Sequence, residues 1–200
     1  EATIAAVVTG EEHRKYAVSD LCLIPRYAVL DPTLTLSLPP AVTAQTGMDA
    51  LTHAIEGYIT PGAWTMSDMF ELKAIELVAA HLRNAVEDGS DPVARNGMAE
   101  AQYIAGMGFS NVGLGIVHSM AHPLGAFYDT PHGVACAMLL PIAMEFNKPV
   151  VVDRLADVAR AMGVDTTGMS TEEAADAAIA AVRQLSEDVE IPKTCAGLVE

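Results

Sequence analysis

Four side chains in this chain have the types and spacing of a divalent-metal site: Asp49, His53, His118 and His132. Asp49 and His53 lie four residues apart in Gly47-Met48-Asp49-Ala50-Leu51-Thr52-His53-Ala54-Ile55-Glu56-Gly57, among strong helix formers. Both therefore project from one helix face, about one turn apart. His118 and His122 repeat that spacing in a second stretch, and His132 follows in a Pro-His-Gly turn. A carboxylate with three imidazoles suits Fe²⁺ or Zn²⁺ and leaves a position for a substrate oxygen, which is the mark of a catalytic metal.

Each of these residues also has a plainer explanation. A lone histidine on a helix is more often structural than a ligand, and His13 and His81 are read that way. His53, His118, His122 and His132 form a set in two Gly-rich neighbourhoods, and residues 113–127 contain no Asp, Glu, Lys or Arg. So apolar a helix is buried, and buried imidazoles need partners. Asp49 also suits a helix N-cap, although its spacing to His53 favours a ligand. Glu56 reads as a further ligand, an acceptor orienting His53, or a structural ion pair. Gly106, Gly108, Gly113 and Gly115 follow no strand and fit no GxGxxG pattern, so they read as packing glycines rather than a phosphate loop.

The elements that must position these residues are mostly helical. Strands are expected at Thr3–Thr9, Lys15–Val18 and Tyr27–Leu30, with a turn at Gly10-Glu11-Glu12 and a boundary marked by Asp31-Pro32 and Pro39-Pro40. Helices are expected near 40–46, 48–58, 67–87, 92–107, 113–127, 133–147, 150–162 and 171–188. Ser67 or Asp68 is the expected cap of the third, with Glu71 available for a capping box. The expected fold class is mainly α: a β-rich segment over residues 1–38, then a helical domain over 39–200.

Composition excludes several function classes. The chain has 200 residues, 51% of them hydrophobic, and a net charge of −15. That charge argues against nucleic acid, whose phosphates need Lys and Arg, and against anionic membrane surfaces. No uninterrupted apolar run of membrane length is expected. Cys22, Cys136 and Cys195 show no CxxC spacing, which fits a reducing cytoplasm. The start at Glu1 and the end at Glu200 read as those of a piece of a longer protein.

With these motifs in view, the chain resembles the iron-dependent (group III) alcohol dehydrogenases. The match is carried by residues 47–56, by Gly113-Leu114-Gly115-Ile116-Val117-His118-Ser119-Met120-Ala121-His122-Pro123-Leu124-Gly125 and by Thr130-Pro131-His132-Gly133, with support from 56–60, 62–64 and 102–111. The resemblance implies a dehydroquinate-synthase-like fold with an N-terminal α/β dinucleotide domain and a helical metal domain. Residues 1–38 would be the last strands of the former and 39–200 a truncated copy of the latter. It implies hydride transfer between NAD (or NADP) and a small primary alcohol or diol, such as 1,2-propanediol. By the same resemblance Asp49, His53, His118 and His132 hold the metal, Lys15 contacts the cofactor and Phe109 lines the alcohol pocket. His132 and His122 are then the residues expected in catalysis. His122 is either a proton relay or a hydrogen-bond partner beside the metal. Iron is expected, although by ligand chemistry Zn²⁺ binds such a site at least as tightly. Ala5 departs from the polar residue found at its position in relatives, which bears on diol preference. Relatives form dimers or larger assemblies, and the same is expected here. Two other readings stay open: a zinc enzyme of glycerol-dehydrogenase or dehydroquinate-synthase type, and a metal-binding helical module without turnover.

Overall fold

The computed structural model describes residues 3–10, 12 and 14–194; Glu11, His13 and Cys195 lie outside the described residues. Two strands, β1 (Ala5–Thr9) and β2 (Lys15–Ser19), pair antiparallel, with Ala5 opposite Ser19 and Thr9 opposite Lys15. Tyr27–Leu30, expected as a third strand, is instead coil, with Tyr27 and Val29 exposed. A β-prone run becomes a strand only where a neighbour completes the ladder, and none of the described residues does so here.

Helical structure begins at Pro40. Among the described residues the helices are α1 (Pro40–Ile59), α2 (Thr65–Glu87), α3 (Pro92–Val112), α4 (Ile116–Tyr128), α5 (His132–Ala161) and α6 (Thr171–Asp188). Three expected boundaries differ. α1 runs unbroken through Gly47, because that glycine serves packing: a Cβ there would lie 2.2 Å from Leu82 Cδ1. α2 starts earlier than expected. The Ser67 hydroxyl accepts from Trp64 N at 2.9 Å and donates to Trp64 O at 2.8 Å, so Ser67 sits inside the first turn. α3 runs on to Val112, and Gly113, at φ 82°, ends it and delays α4 to Ile116. The two helices expected at 133–147 and 150–162 are both present as the two segments of α5, separated by a kink at Val151 (φ −134°, ψ 25°) just after Pro149. α6 falls where expected, opened by Ser170 and Glu173 in a reciprocal cap.

α1 is buried almost all round and packs on α2, α3 and α5. The core joins Met48, Leu51 and Ile55 of α1 to Ile75, Val78 and Leu82 of α2, and then to Leu140, Met144 and Leu155 of α5 and Leu185 of α6. Each such side chain contributes about 1.5–3 kcal/mol on burial. α5 is long and apolar enough by composition to cross a membrane, but its apolar face packs on α1, α4 and α6. The consequence for the site is rigidity: Asp49 and His53 are carried by the most enclosed helix of the domain.

Candidate metal centre

Three helices bring the polar cluster together. α1 supplies Asp49 and His53, α4 supplies His118 and His122, and the first turns of α5 supply His132 and Cys136. Asp49 Oδ1 lies 3.6 Å from His118 Nε2 and 3.5 Å from His132 Nε2. Among the described residues, the potential metal donors that all lie within 4.8 Å of one another belong to Asp49, His118, His132 and Cys136. His53 flanks this group. Its ring stacks on His118 with centroids 4.4 Å apart, and on Phe109 at 4.5 Å on the other side. The His122 ring lies 5.3 Å from that of His132 and 6.0 Å from that of His118. Lys15, at the start of β2, reaches α4: a Cβ on Gly125 would lie 2.6 Å from its ammonium nitrogen. The side chains expected to act together thus share one neighbourhood. Ala5 lies exposed on β1.

Glu56 has a more definite role than the spacing conveys. Its carboxylate is buried, with Oε2 2.6 Å from His118 Nδ1 and Oε1 accepting from Val117 N at 2.7 Å. It therefore orients His118 rather than His53, as one of the sequence readings had it. The reason is geometric: Glu56 lies two turns past Asp49 on α1, facing the first turn of α4, whose free amides attract a carboxylate. Holding Nδ1 leaves Nε2 of the same ring directed at Asp49.

Electrostatics follow from this packing. Burial pushes the Asp49 carboxyl up, but the contact with His118 and the charges of His53 and His132 outweigh it and hold Asp49 low. Burial draws His118 down, yet contacts to Asp49, Cys136 and Glu56 reverse this and hold it above its ordinary value. His132 is lowered to about 4 by burial, against the opposing pull of Asp49 and with help from His118 and His122. His122 is lowered by burial and by the positive charges of His118 and Lys15. Both therefore present neutral rings at neutral pH. Burial pushes the Cys136 thiol up to about 11.

The donor set fits a divalent metal. Asp49 Oδ1 and His118 Nε2 are buried and have no hydrogen-bond partner among the described residues, although such atoms are normally satisfied. Their separation is too long for a hydrogen bond. It is close to the edge, about 3.4 Å, of a tetrahedron with bonds of about 2.1 Å to nitrogen and oxygen ligands. Two openings flank the cluster. One, of about 430 Å³, reaches Asp49 between α1, α3 and the segment around Val29 and Leu34. The other, of about 480 Å³, is lined by Arg14, Lys15, Ser119, His122 and Phe127.

A family model for the C-terminal part of the Fe-containing alcohol dehydrogenase family matches residues 43–198. The chain belongs to that family. It is 54% identical over 193 residues to the lactaldehyde reductase of Escherichia coli, covering 96% of this chain and 50% of that protein. It is 46% identical over 194 residues to the 1,3-propanediol dehydrogenase of Klebsiella pneumoniae, with coverage of 96% and 50%. Among solved structures, a 1,3-propanediol oxidoreductase superposes with a TM-score of 0.95 at 45% identity, covering 98% of this chain and 52% of that one. An alcohol dehydrogenase from Oenococcus oeni gives 0.95 at 46% identity, with coverage of 98% and 51%. The chain spans about half the length of the curated relatives it matches. The helical fold agrees with that membership.

Two polar groups of the family domain escaped sequence reasoning. Cys136 follows His132 by four residues, a spacing that puts both on one helix face. Glu71, taken for capping chemistry, is instead wholly enclosed between α1 and α3. Nothing in its local sequence, which alternates charged and apolar residues as a surface helix does, marks it as buried.

Proposed function

We propose that the full-length protein is a metal-dependent, NAD(P)-linked alcohol dehydrogenase acting between a small primary alcohol or diol, of the 1,2-propanediol class, and its aldehyde. The observation that carries this is the pair of buried, unpartnered donor atoms of Asp49 and His118 beside His132 and the His53–Phe109 stack, in a chain of this family. Asp49, His53, His118 and His132 are the proposed ligands of Fe²⁺, with Zn²⁺ as the competing ion. A metal held there supplies Lewis-acid polarisation of the alcohol or carbonyl oxygen. A bound NAD, or NADP in its place, would supply the hydride acceptor or donor.

The chain's own residues do the rest. Glu56 fixes the His118 ring, so the ligand set is oriented before substrate arrives. Phe109, packed flat on His53, presents an apolar wall that keeps water from the substrate side. His122 borders the groove that Lys15 and Ser119 also line, and so offers a proton path from the cluster to the surface. Lys15 is the proposed cofactor contact. Residues 1–38 are proposed as the end of a nucleotide-binding domain and 39–200 as the metal domain. A cytoplasmic homodimer or larger assembly is proposed for the whole protein. The names of the relatives reported above favour this reading over a glycerol-dehydrogenase-like or dehydroquinate-synthase-like one.

The test is metal content together with alcohol-dependent NAD(P)⁺ reduction, measured on the full-length protein prepared without oxygen and on His118→Ala. The expected result is one metal per chain in the parent, with metal and activity lost together in the variant. Metal-free protein that still oxidises alcohol refutes the proposal.

A further inference from the structure

Phe109, the proposed wall of the alcohol pocket, takes its place from a close helix packing that two glycines permit. On α1, His53 and Gly57 lie four residues apart and so share one helix face. The Phe109 ring covers His53, with centroids 4.5 Å apart and planes 14° from parallel. One turn further along α1, a Cβ on Gly57 would lie 3.2 Å from Phe109 Cβ and 2.2 Å from Glu71 Oε1. Gly108, which precedes Phe109 on α3, meets the same carboxyl: a Cβ there would lie 2.3 Å from Oε1 and 2.5 Å from Cδ of Glu71. The end of Glu71, carried by α2, therefore fills a slot between the two glycine backbones and beside Phe109. Glu71 is wholly enclosed, and neither of its oxygens has a hydrogen-bond partner among the described residues. Shape, rather than a polar contact, is what this side chain contributes at the slot.

We propose that Glu71 is a positioning residue for the alcohol pocket: its carboxyl is the spacer that sets the approach of α3 to α1 at Gly108 and Gly57, and so holds the Phe109 ring flat against His53. This rests on the reading of Phe109 as the substrate wall and deepens it by naming what fixes that wall. Close-packed interiors transmit strain. Emptying the slot lets α3 settle toward α1, which turns Phe109 off His53 and widens the space beside the alcohol's carbon chain. A flat group of the same size keeps the spacing, whether or not it can ionise.

The test uses the full-length protein with 4-fluorophenylalanine in place of phenylalanine, the Phe109 line being assigned by its loss in Phe109→Leu. In fluorine NMR, Glu71→Ala should shift or broaden that line, whereas Glu71→Gln should leave it at the parent position. Adding Gly108→Ala to Glu71→Ala puts a methyl group back into the slot and should return the line toward the parent. In alcohol-dependent NAD(P)⁺ reduction, Glu71→Ala should raise KM for 1,2-propanediol about tenfold relative to 1-hexanol. Metal content and KM for NAD(P)⁺ should stay as in the parent, and Glu71→Gln should restore the parental ratio between the two alcohols. An unmoved Phe109 line in Glu71→Ala overturns the proposal whatever the activity. Equal losses for both alcohols also overturn it, since that is what general loosening of the domain gives. A parent that oxidises neither alcohol overturns the functional reading instead, and the fluorine lines then decide the positioning by themselves. If Glu71→Ala does not fold, Gly108→Ala alone crowds the slot from the other side, and an unmoved Phe109 line there overturns the proposal equally.

Discussion

Glu71 is a carboxyl group with nowhere to put a charge, and replacing it should stabilise the protein. It lies on α2 with no exposed surface, wedged where Cβ atoms on Gly57 and Gly108 would come within 2.2 and 2.3 Å of Oε1. Neither of its oxygens has a hydrogen-bond partner among the described residues. Burial, with the charge of Asp68 adding to it, pushes this carboxyl up from 4.5 to about 9. At neutral pH the group is therefore protonated in the folded protein and ionised in the unfolded chain. The unfolded state binds fewer protons across that interval, so stability falls as pH rises from about 4.5 to about 9. One pH unit corresponds to about 1.4 kcal/mol, and the interval from 4.5 to neutral pH gives a penalty of about 3 kcal/mol. Glu71→Gln keeps the shape and removes the titration. Urea unfolding of parent and variant between about pH 5 and 8 should show the variant more stable by about 3 kcal/mol at pH 7. The gap should close toward acid by about 1.4 kcal/mol per unit. Two curves that run parallel across this range would show that Glu71 ionises in the folded protein, and the burial argument would fail.

Two further outcomes follow from close contacts. Glu56→Gln should weaken metal binding by about 10–100-fold, read by competition with a chromophoric chelator, because the amide no longer anchors His118 Nδ1 as a carboxylate does. Unchanged affinity would mean that the 2.6 Å contact orients nothing. Gly133→Ala should cost about 1–3 kcal/mol or more in thermal unfolding, since the added Cβ would sit 2.1 Å from the backbone oxygen of Gln45, which cannot rotate away. It should also reduce metal content, because α5 carries His132 at the point displaced.

Much of the candidate cluster was legible because its signals are local. Asp49–His53 and His118–His122 announce themselves by helical spacing, and the charge-free stretch of 113–127 announces burial. What stayed hidden depends on long-range packing. Gly47 reads as punctuation but sits against Leu82 from another helix, so one helix stands where two were expected. The Tyr27–Leu30 run has strand composition without a neighbouring strand among the described residues. The break expected between 147 and 150 was, by contrast, legible: Pro149 precedes the non-helical Val151, where one helical segment ends and the next begins. Glu71 and Cys136 were opaque for the same reason. One looks like a solvated helix residue and the other like an unremarkable thiol until α1, α3 and α4 close around them.

The carboxylate of Glu56 closes the first turn of α4 through Val117 N and grips His118 through Nδ1. If His118 holds the proposed metal, order at that helix start and affinity for the ion share one coupling free energy, and such coupling is reciprocal. Whatever the formed turn lends to ion capture, ion capture returns to the turn. The buried Val117 amide would then be a natural meter of occupancy, its exchange with solvent slowing as the proposed centre fills.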